Sequence, residues 1–177
     1  MIKAYLKNDR VVIWDLENSK DIFEKKYFGR LKDNRLELAL VEAAYLIEKK
    51  KISLFDNKKK MKFEQFFEYC KKIDKRFELR YKIYRDLRNK KLPTRSGFKF
   101  GCDFRVYAKG TNPMKRGKKT EKEHTKWVVF AIPDNYEMTF VELSRAVRLA
   151  HNIRANMLWG VVGKKNINYV QVKFFKP

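Results

Sequence analysis

The strongest constraint on what this chain can become is a break in texture at Pro93. Ahead of it, MKFEQFFEYCKKIDKRFELRYKIYRDLRNKK repeats apolar residues at helical spacing and reads as two successive amphipathic helices. Proline ends that run, because it lacks an amide proton and disfavours helix in the residue before it. Beyond it, FKFGCDFRVYAKG and KWVVFAIP are aromatic and β-branched and read as strands, separated by the charged loop TNPMKRGKKTEKEHT. The segment TFVELSRAVRLAHNIRA is then a helix opened by a capping box, in which Thr139 accepts from the amide three residues on and Glu142 reaches back. Its predicted inner face is Phe140, Leu143, Val147, Ala150 and Ile153; Arg145, Arg148, Asn152 and Ala155 fall on the outer side. MLWGVV and INYVQVKFF are two further strands around the turn Gly163-Lys164-Lys165-Asn166. Alternation in the second predicts one buried face made by Val170, Val172 and Phe174.

Upstream, residues 1–28 alternate in short β-like pieces, with Asn8-Asp9 as a turn between two strands. LELALVEAAYLIEKKK, residues 36–51, predicts a helix, ISLF a strand and DNKKK a lysine-rich turn. The chain therefore divides into a helix-rich half, about 1–85, and an α/β half with mixed strands, about 86–177, without internal repeats.

Charge narrows the partners. Against 21 acidic residues stand 43 Lys and Arg, a formal charge of +22. Self-repulsion of this size costs stability, and a polyanion such as nucleic acid accounts for it; the competing reading is a lysine-rich composition that inflates every surface. An apolar share of 44% belongs to a folded protein rather than a basic tail. Cys70 and Cys102 have neither the spacing of a zinc motif nor that of a disulfide framework, and read as reduced, buried thiols. Charges interrupt every apolar run of MIKAYLKNDRVVIW, and no stretch approaches the ~20 residues that cross a bilayer. The expectation is a soluble cytoplasmic protein with no membrane contact.

Chemistry has few candidates. His151 sits beside Ala150 in the last helix and reads as a structural or surface residue. His124 stands where the basic loop meets a strand, and Tyr107 ends the strand at the other end of that loop. A tyrosine there is ordinarily packing with its hydroxyl at the rim. The loop could equally bring phenol and imidazole together, a pair able to move protons at an RNA 2′-hydroxyl and its leaving oxygen without a metal. Two-metal chemistry needs clustered carboxylates. Asp103 and Asp134 are available, but the acids of TEKEH alternate with lysines as in a solvated loop. No metal and no cofactor are expected. The loop cations Lys115, Arg116, Lys118 and Lys119 have two readings, phosphate contacts or a solvated insertion.

LALVEAAYLIEKKKISL, LRYKIYRDLRNKKLPTRSGFKFGCDFRVYAKG, EHTKWVVFAIP and LSRAVRLAHNIR, in this order and spacing, resemble the archaeal tRNA-splicing endonuclease family over most of the chain. The resemblance implies an α/β fold: a small N-terminal α/β domain over 1–85 and a C-terminal nuclease domain over 86–177, with a mixed sheet and flanking helices. It implies a tetrameric, metal-independent enzyme that cuts precursor tRNA at intron boundaries in a bulge–helix–bulge element, leaving a 2′,3′-cyclic phosphate and a 5′-hydroxyl. The family's general base falls on Tyr107 and its general acid on His124. An imidazole titrating near ~6.5 suits the second role; a phenol near ~10 needs a neighbouring cation for the first. The family's lysine falls on Ala155, and its base-clamping arginine on Arg148, which can grip a bulged base by stacking.

Two explanations of Ala155 stand: a catalytic subunit with one inactivating substitution, or a non-catalytic structural RNA-binding subunit of the same complex. The intact Tyr107 and His124 favour the first. Arg154, about 100° round a helix from Ala155, is a doubtful substitute. The family's acidic docking loop corresponds to Gly163–Asn166, which has no acid, and two basic surfaces would repel. The expected assembly is a two-plus-two heterotetramer with a second, acidic-looped subunit, YVQVKFF adding to a partner's sheet edge.

Overall fold

A computed structural model describes residues 1–97, 101–115, 117, 118, 120 and 123–173. The chain forms two compact units, Met1–Tyr81 and Lys82–Pro177, each of mixed α/β structure.

In the first unit β1 (Ile2–Lys7) and β2 (Arg10–Ile13) form a hairpin about Asn8-Asp9, Asn8 taking a φ of +50°. Helix α1 (Leu16–Lys20) is capped by Asp15 and runs into a wider turn over Asp21–Lys25. Then come β3 (Arg30–Lys32), β4 (Arg35–Ala39), α2 (Leu40–Glu48), β5 (Ile52–Asp56) and β6 (Lys59–Met61). The six strands lie in the order β3-β4-β2-β1-β5-β6, with β1 and β5 parallel.

The helix expected over 36–51 is corrected at its start. Leu36 and Leu38 pair with Ile13 and Val11 in β4, and the helix begins only at Leu40. In LELAL the leucines satisfy a period of two and a period of 3.6 alike, so the pattern alone cannot choose. What marks the true start is Glu42, whose buried carboxylate accepts from the Ala39 N–H at 2.9 Å and from the Gly29 N–H at 3.1 Å. The lysine-rich turn is likewise shorter than expected, since Lys59–Met61 pairs back on β5. This half thus carries a six-stranded sheet beside its helices.

Ala4, Leu6, Val11, Ile13, Leu36, Leu38, Ile52 and Leu54 are buried, and α2 packs against β2, β4 and β5. Helix α3 (Phe63–Ile73) buries Phe66 and Cys70, and burial pushes the Cys70 thiol up to about 12. Helix α4 (Phe77–Asn89) begins here: Tyr81 meets Phe67 edge-on at 5.4 Å and stacks on Phe77 at 6.0 Å.

The second unit holds the rest of α4, β7 (Thr94–Ser96), β8 (Phe104–Val106), β9 (Trp127–Pro133), α5 (Phe140–Asn152), β10 (Asn156–Val162) and β11 (Ile167–Val172). Strand order is β11-β10-β9-β8-β7; β9 and β10 are parallel, as a crossover through α5 requires, and the other pairs are antiparallel. On one face Ala146, Val147 and Ala150 of α5 join Val128, Ile132, Met157 and Trp159 in one cluster. On the other, Tyr84 of α4 lies 5.5 Å from the Phe104 ring. Ile83 comes so close to Gly160 that a Cβ there would stand 2.6 Å from its Cδ1. The Tyr169 hydroxyl donates to Asp86 at 2.7 Å; burial, and then that carboxylate, push the phenol above its usual range. Cys102 is buried and its thiol raised to about 11 by burial.

The capping box of α5 is present: the Glu142 N–H donates to Thr139 Oγ1 at 3.2 Å, and the Thr139 N–H donates to Glu142 at 2.8 Å. Two packing expectations are corrected. Phe140 is 83% exposed, because helical period fixes a face but not where the sheet beneath it ends; the inner face begins at Leu143 and includes Ala146. Val170 shares a face with its partner Trp159 yet is 50% exposed, since β11 is the outermost strand, while Val172 packs on the α5 cluster. Phe174 lies outside the described residues.

Candidate active site

Because β8 runs against β9 while β10 runs with it, the end of β8 and the starts of β9 and β10 meet at one sheet edge. Val106, Trp127 and Asn156 form a row across the three strands. One position further on come Tyr107, Lys126 and Ala155. Backbone hydrogen bonds hold this margin: the Lys126 N–H donates to Val106 O at 2.8 Å and the Asn156 N–H to Lys126 O at 2.9 Å. The Tyr107 N–H donates to Pro93 O at 2.9 Å, so the turn between α4 and β7 also anchors the tyrosine. Tyr107 is buried, and His124, two residues before Lys126, is exposed. Tyr107, His124 and Ala155 thus reach the same end of the sheet.

The approach to His124 is tethered. Lys115 Nζ pairs with Glu123 at 2.6 Å, and the Thr120 N–H and hydroxyl donate to the same carboxylate at 2.8 and 3.0 Å. The Lys115 ammonium, and then Thr120, hold the Glu123 carboxyl at about 2, below its ordinary 4.5. A carboxyl lowered by folding lends its support above the unfolded value and loses it as pH falls through the folded one. The tether is therefore complete above pH 4.5 and lost toward pH 2. By carboxyl-carbon NMR, Glu123 is expected to titrate near about 2, and to move up in Lys115→Ala; a wild-type midpoint at the ordinary glutamate value would refute the tether. Of the other loop cations, Lys118 is exposed, and Arg116 and Lys119 lie outside the described residues.

Ala155 is not on the outer side of a helix beside Arg148, as periodicity suggests. Helix α5 ends at Asn152; the Arg154 N–H donates to His151 O at 2.9 Å and the Ala155 N–H to Ala150 O at 2.8 Å. This is a Schellman closure, with Arg154 in the left-handed position at φ +55°. Ala155 is the residue after it, and its methyl packs on the cluster that contains Ala150. Arg154 is separated from it by a reversal of the chain, not by an arc of helix. Glycine or asparagine normally signals such an end; an arginine there leaves no trace in the sequence. Arg148 is exposed on α5.

Lys126 carries the one ammonium in the row with Tyr107 and Ala155. It is exposed, with Nζ 4.3 Å from the Trp127 ring centroid. A single lysine before a strand has no distinguishing signal in so basic a chain, and only strand register singles it out. Asp103, offered by the sequence as a metal ligand, is buried and accepts from the Ala131 N–H at 2.8 Å. Asp134 is exposed. Among the described residues no three His, Cys, Asp or Glu gather as metal ligands would, and no helix is long and apolar enough to cross a membrane.

Both units have counterparts among known domains. Residues 2–67 match the tRNA intron endonuclease N-terminal domain, and residues 77–169 the tRNA intron endonuclease catalytic C-terminal domain. The chain belongs to the tRNA-splicing endonuclease family. It is 34% identical to a tRNA-splicing endonuclease of Thermococcus kodakarensis over 99% of both chains. One from Nanoarchaeum equitans is 40% identical over 80% of this chain and 90% of its own. Another, from Methanococcoides burtonii, is 36% identical over 96% of this chain, which spans only 47% of that longer relative.

Proposed function

We propose that this chain is a subunit of a metal-independent endoribonuclease that cuts precursor tRNA at intron–exon junctions in a bulge–helix–bulge element, and that it is of catalytic type but disabled at Ala155. What supports this reading is that Tyr107 follows β8, Ala155 precedes β10 and His124 stands three residues before β9, all at the same end of three adjacent strands. Tyr107 takes the proton of a 2′-hydroxyl, whose oxygen attacks the neighbouring phosphorus; His124 protonates the departing 5′-oxygen. The products are a 2′,3′-cyclic phosphate and a 5′-hydroxyl. A lysine at 155 would stabilise the extra negative charge of the phosphorane, where the chain has a methyl group. Arg148 stacks on a bulged base, and the cations of residues 115–119 meet phosphates, Lys115 with its charge shared by Glu123.

One observation favours a second reading, a structural subunit. As the apolar member of the α5 closure, Ala155 suits its position without any catalytic history.

The assembly we propose is a heterotetramer, two copies of this chain with two of an acidic-looped subunit. Support comes from the edge strand β11 and from the exposed Lys164 and Lys165 in an acid-free hairpin turn. By light scattering the chain alone should not form a stable tetramer, and addition of an acidic-looped family member should produce one. A tetramer of this chain alone overturns the assembly. Cleavage by the complex should survive EDTA and leave cyclic-phosphate ends; abolition by EDTA overturns the metal-independent chemistry.

A further inference from the structure

In the sheet of the first unit, Ala4, Leu6, Ile52 and Leu54 enter the core, so Lys3, Tyr5, Lys7, Ser53 and Phe55 take the opposite face. Parallel pairing sets Tyr5 beside Phe55, their rings 6.0 Å apart and tilted by 33°. Lys60 of β6 stands opposite Phe55 on the same face. Next to Tyr5 on the other side is Val12, and two residues beyond it Trp14 is 54% exposed, with the Arg35 guanidinium 5.6 Å from its ring. Lys3, Tyr5, Lys7, Trp14, Asn18 and Asn57 help to border an open concavity of about 800 Å³. Asp15, the acid on its rim, is taken up by Asn18, whose N–H and side-chain amide donate to it at 3.1 and 2.8 Å.

Lys3, Lys7 and Lys60 are all exposed, and Tyr5 and Phe55 are half-buried. Aromatic rings laid on a sheet and flanked by lysines suit unpaired bases, which stack on the rings while their phosphates meet the ammonium groups. A duplex hides its base faces and gains only the charge term. An acidic peptide would likewise use the lysines and leave the exposed indole unexplained.

We infer that this face binds a single-stranded RNA segment, with bases stacked on Tyr5, Phe55 and Trp14 and phosphates on Lys3, Lys7 and Lys60. The inference rests on the proposed function only for the choice of RNA among polyanions. It assigns the first unit a contact with the unpaired parts of a substrate, apart from the cleavage machinery.

Anisotropy with the full-length chain tests it, using a short unstructured ribo-oligonucleotide, a duplex RNA and an acidic peptide as probes. Trp14→Ala should weaken single-strand binding on the order of tenfold and leave duplex binding unchanged, with Trp14→Phe retaining most of the affinity. Replacing Lys3, Lys7 and Lys60 together by Ala should lower the salt slope by about two, at ~0.7 per phosphate contact on a single strand. The matched replacement of Lys62, Lys72 and Lys75, exposed at or beyond the ends of α3, should not. Ultraviolet crosslinks from the oligonucleotide should fall on peptides containing Tyr5, Trp14 or Phe55. Equal effects of the two lysine sets, equal loss of duplex binding in Trp14→Ala, or acidic peptide bound as tightly as RNA would each overturn the inference. None of these readouts uses cleavage, so an Ala155→Lys chain that binds single strands but does not cut with its partner present would defeat the catalytic-subunit reading alone.

Discussion

Ala155→Lys, assayed with the partner subunit present, is expected to raise cleavage of a bulge–helix–bulge RNA on the order of 10²–10³-fold, the usual worth of one preorganised transition-state group. The position can accept the change. Ala155 is only partly buried, at the point where α5 closes and β10 begins. A lysine stem can cover the apolar surface that the methyl now touches while its ammonium reaches out beside Tyr107 and His124. The melting temperature should therefore stay close to that of the wild type, which separates a gain in chemistry from a gain in folding. Lys126 offers the sharpest control, as the cation already in the row. If it supplied the missing charge, Ala155→Lys would add little and Lys126→Ala would abolish what activity there is. A revertant that stays inactive with its partner leaves the structural-subunit reading in possession.

In the Ala155→Lys background, His124→Ala should lower the rate on the order of 10²–10⁴-fold, the range for loss of a positioned general acid. The residue is exposed, so the variant should fold normally. Its role is checked by the leaving group. An RNA with sulfur in place of the bridging 5′-oxygen departs without a proton and should rescue His124→Ala. The same RNA should not rescue Tyr107→Phe, where the group removed acts on the attacking hydroxyl. Tyr107 is 3% exposed, and phenylalanine keeps its packing while removing only the oxygen. Rescue of both variants, or of neither, would contradict the assigned division of labour.

Legibility followed the range of the forces involved. The Asn8-Asp9 turn and the Thr139–Glu142 capping box are set by neighbours a few residues away and are readable in the chain, whereas α4 stops ahead of Pro93, at Asn89, with Lys91 left-handed at φ +62°. Tyr107 and His124 could be paired as candidates because one loop separates them. Ala155 stands out as an uncharged position on a basic helix face and through the family pattern, but periodicity misplaces its surroundings, because a left-handed arginine ends the helix early.

What the sequence determined by itself was therefore the α/β class, most of the helices, the two ends of the loop that hold a phenol and an imidazole, and the charge that asks for a polyanion. Only the tertiary structure decided that Leu36 and Leu38 belong to a strand, that Val170 faces outward on an edge, and that Lys126 stands in the row between Tyr107 and Ala155. It alone set Tyr5 beside Phe55 and put Tyr5 and Trp14 on one concavity. Periodicity reports which side of an element is apolar; strand register is fixed by hydrogen bonds between residues tens of positions apart, and those bonds leave no pattern within either strand.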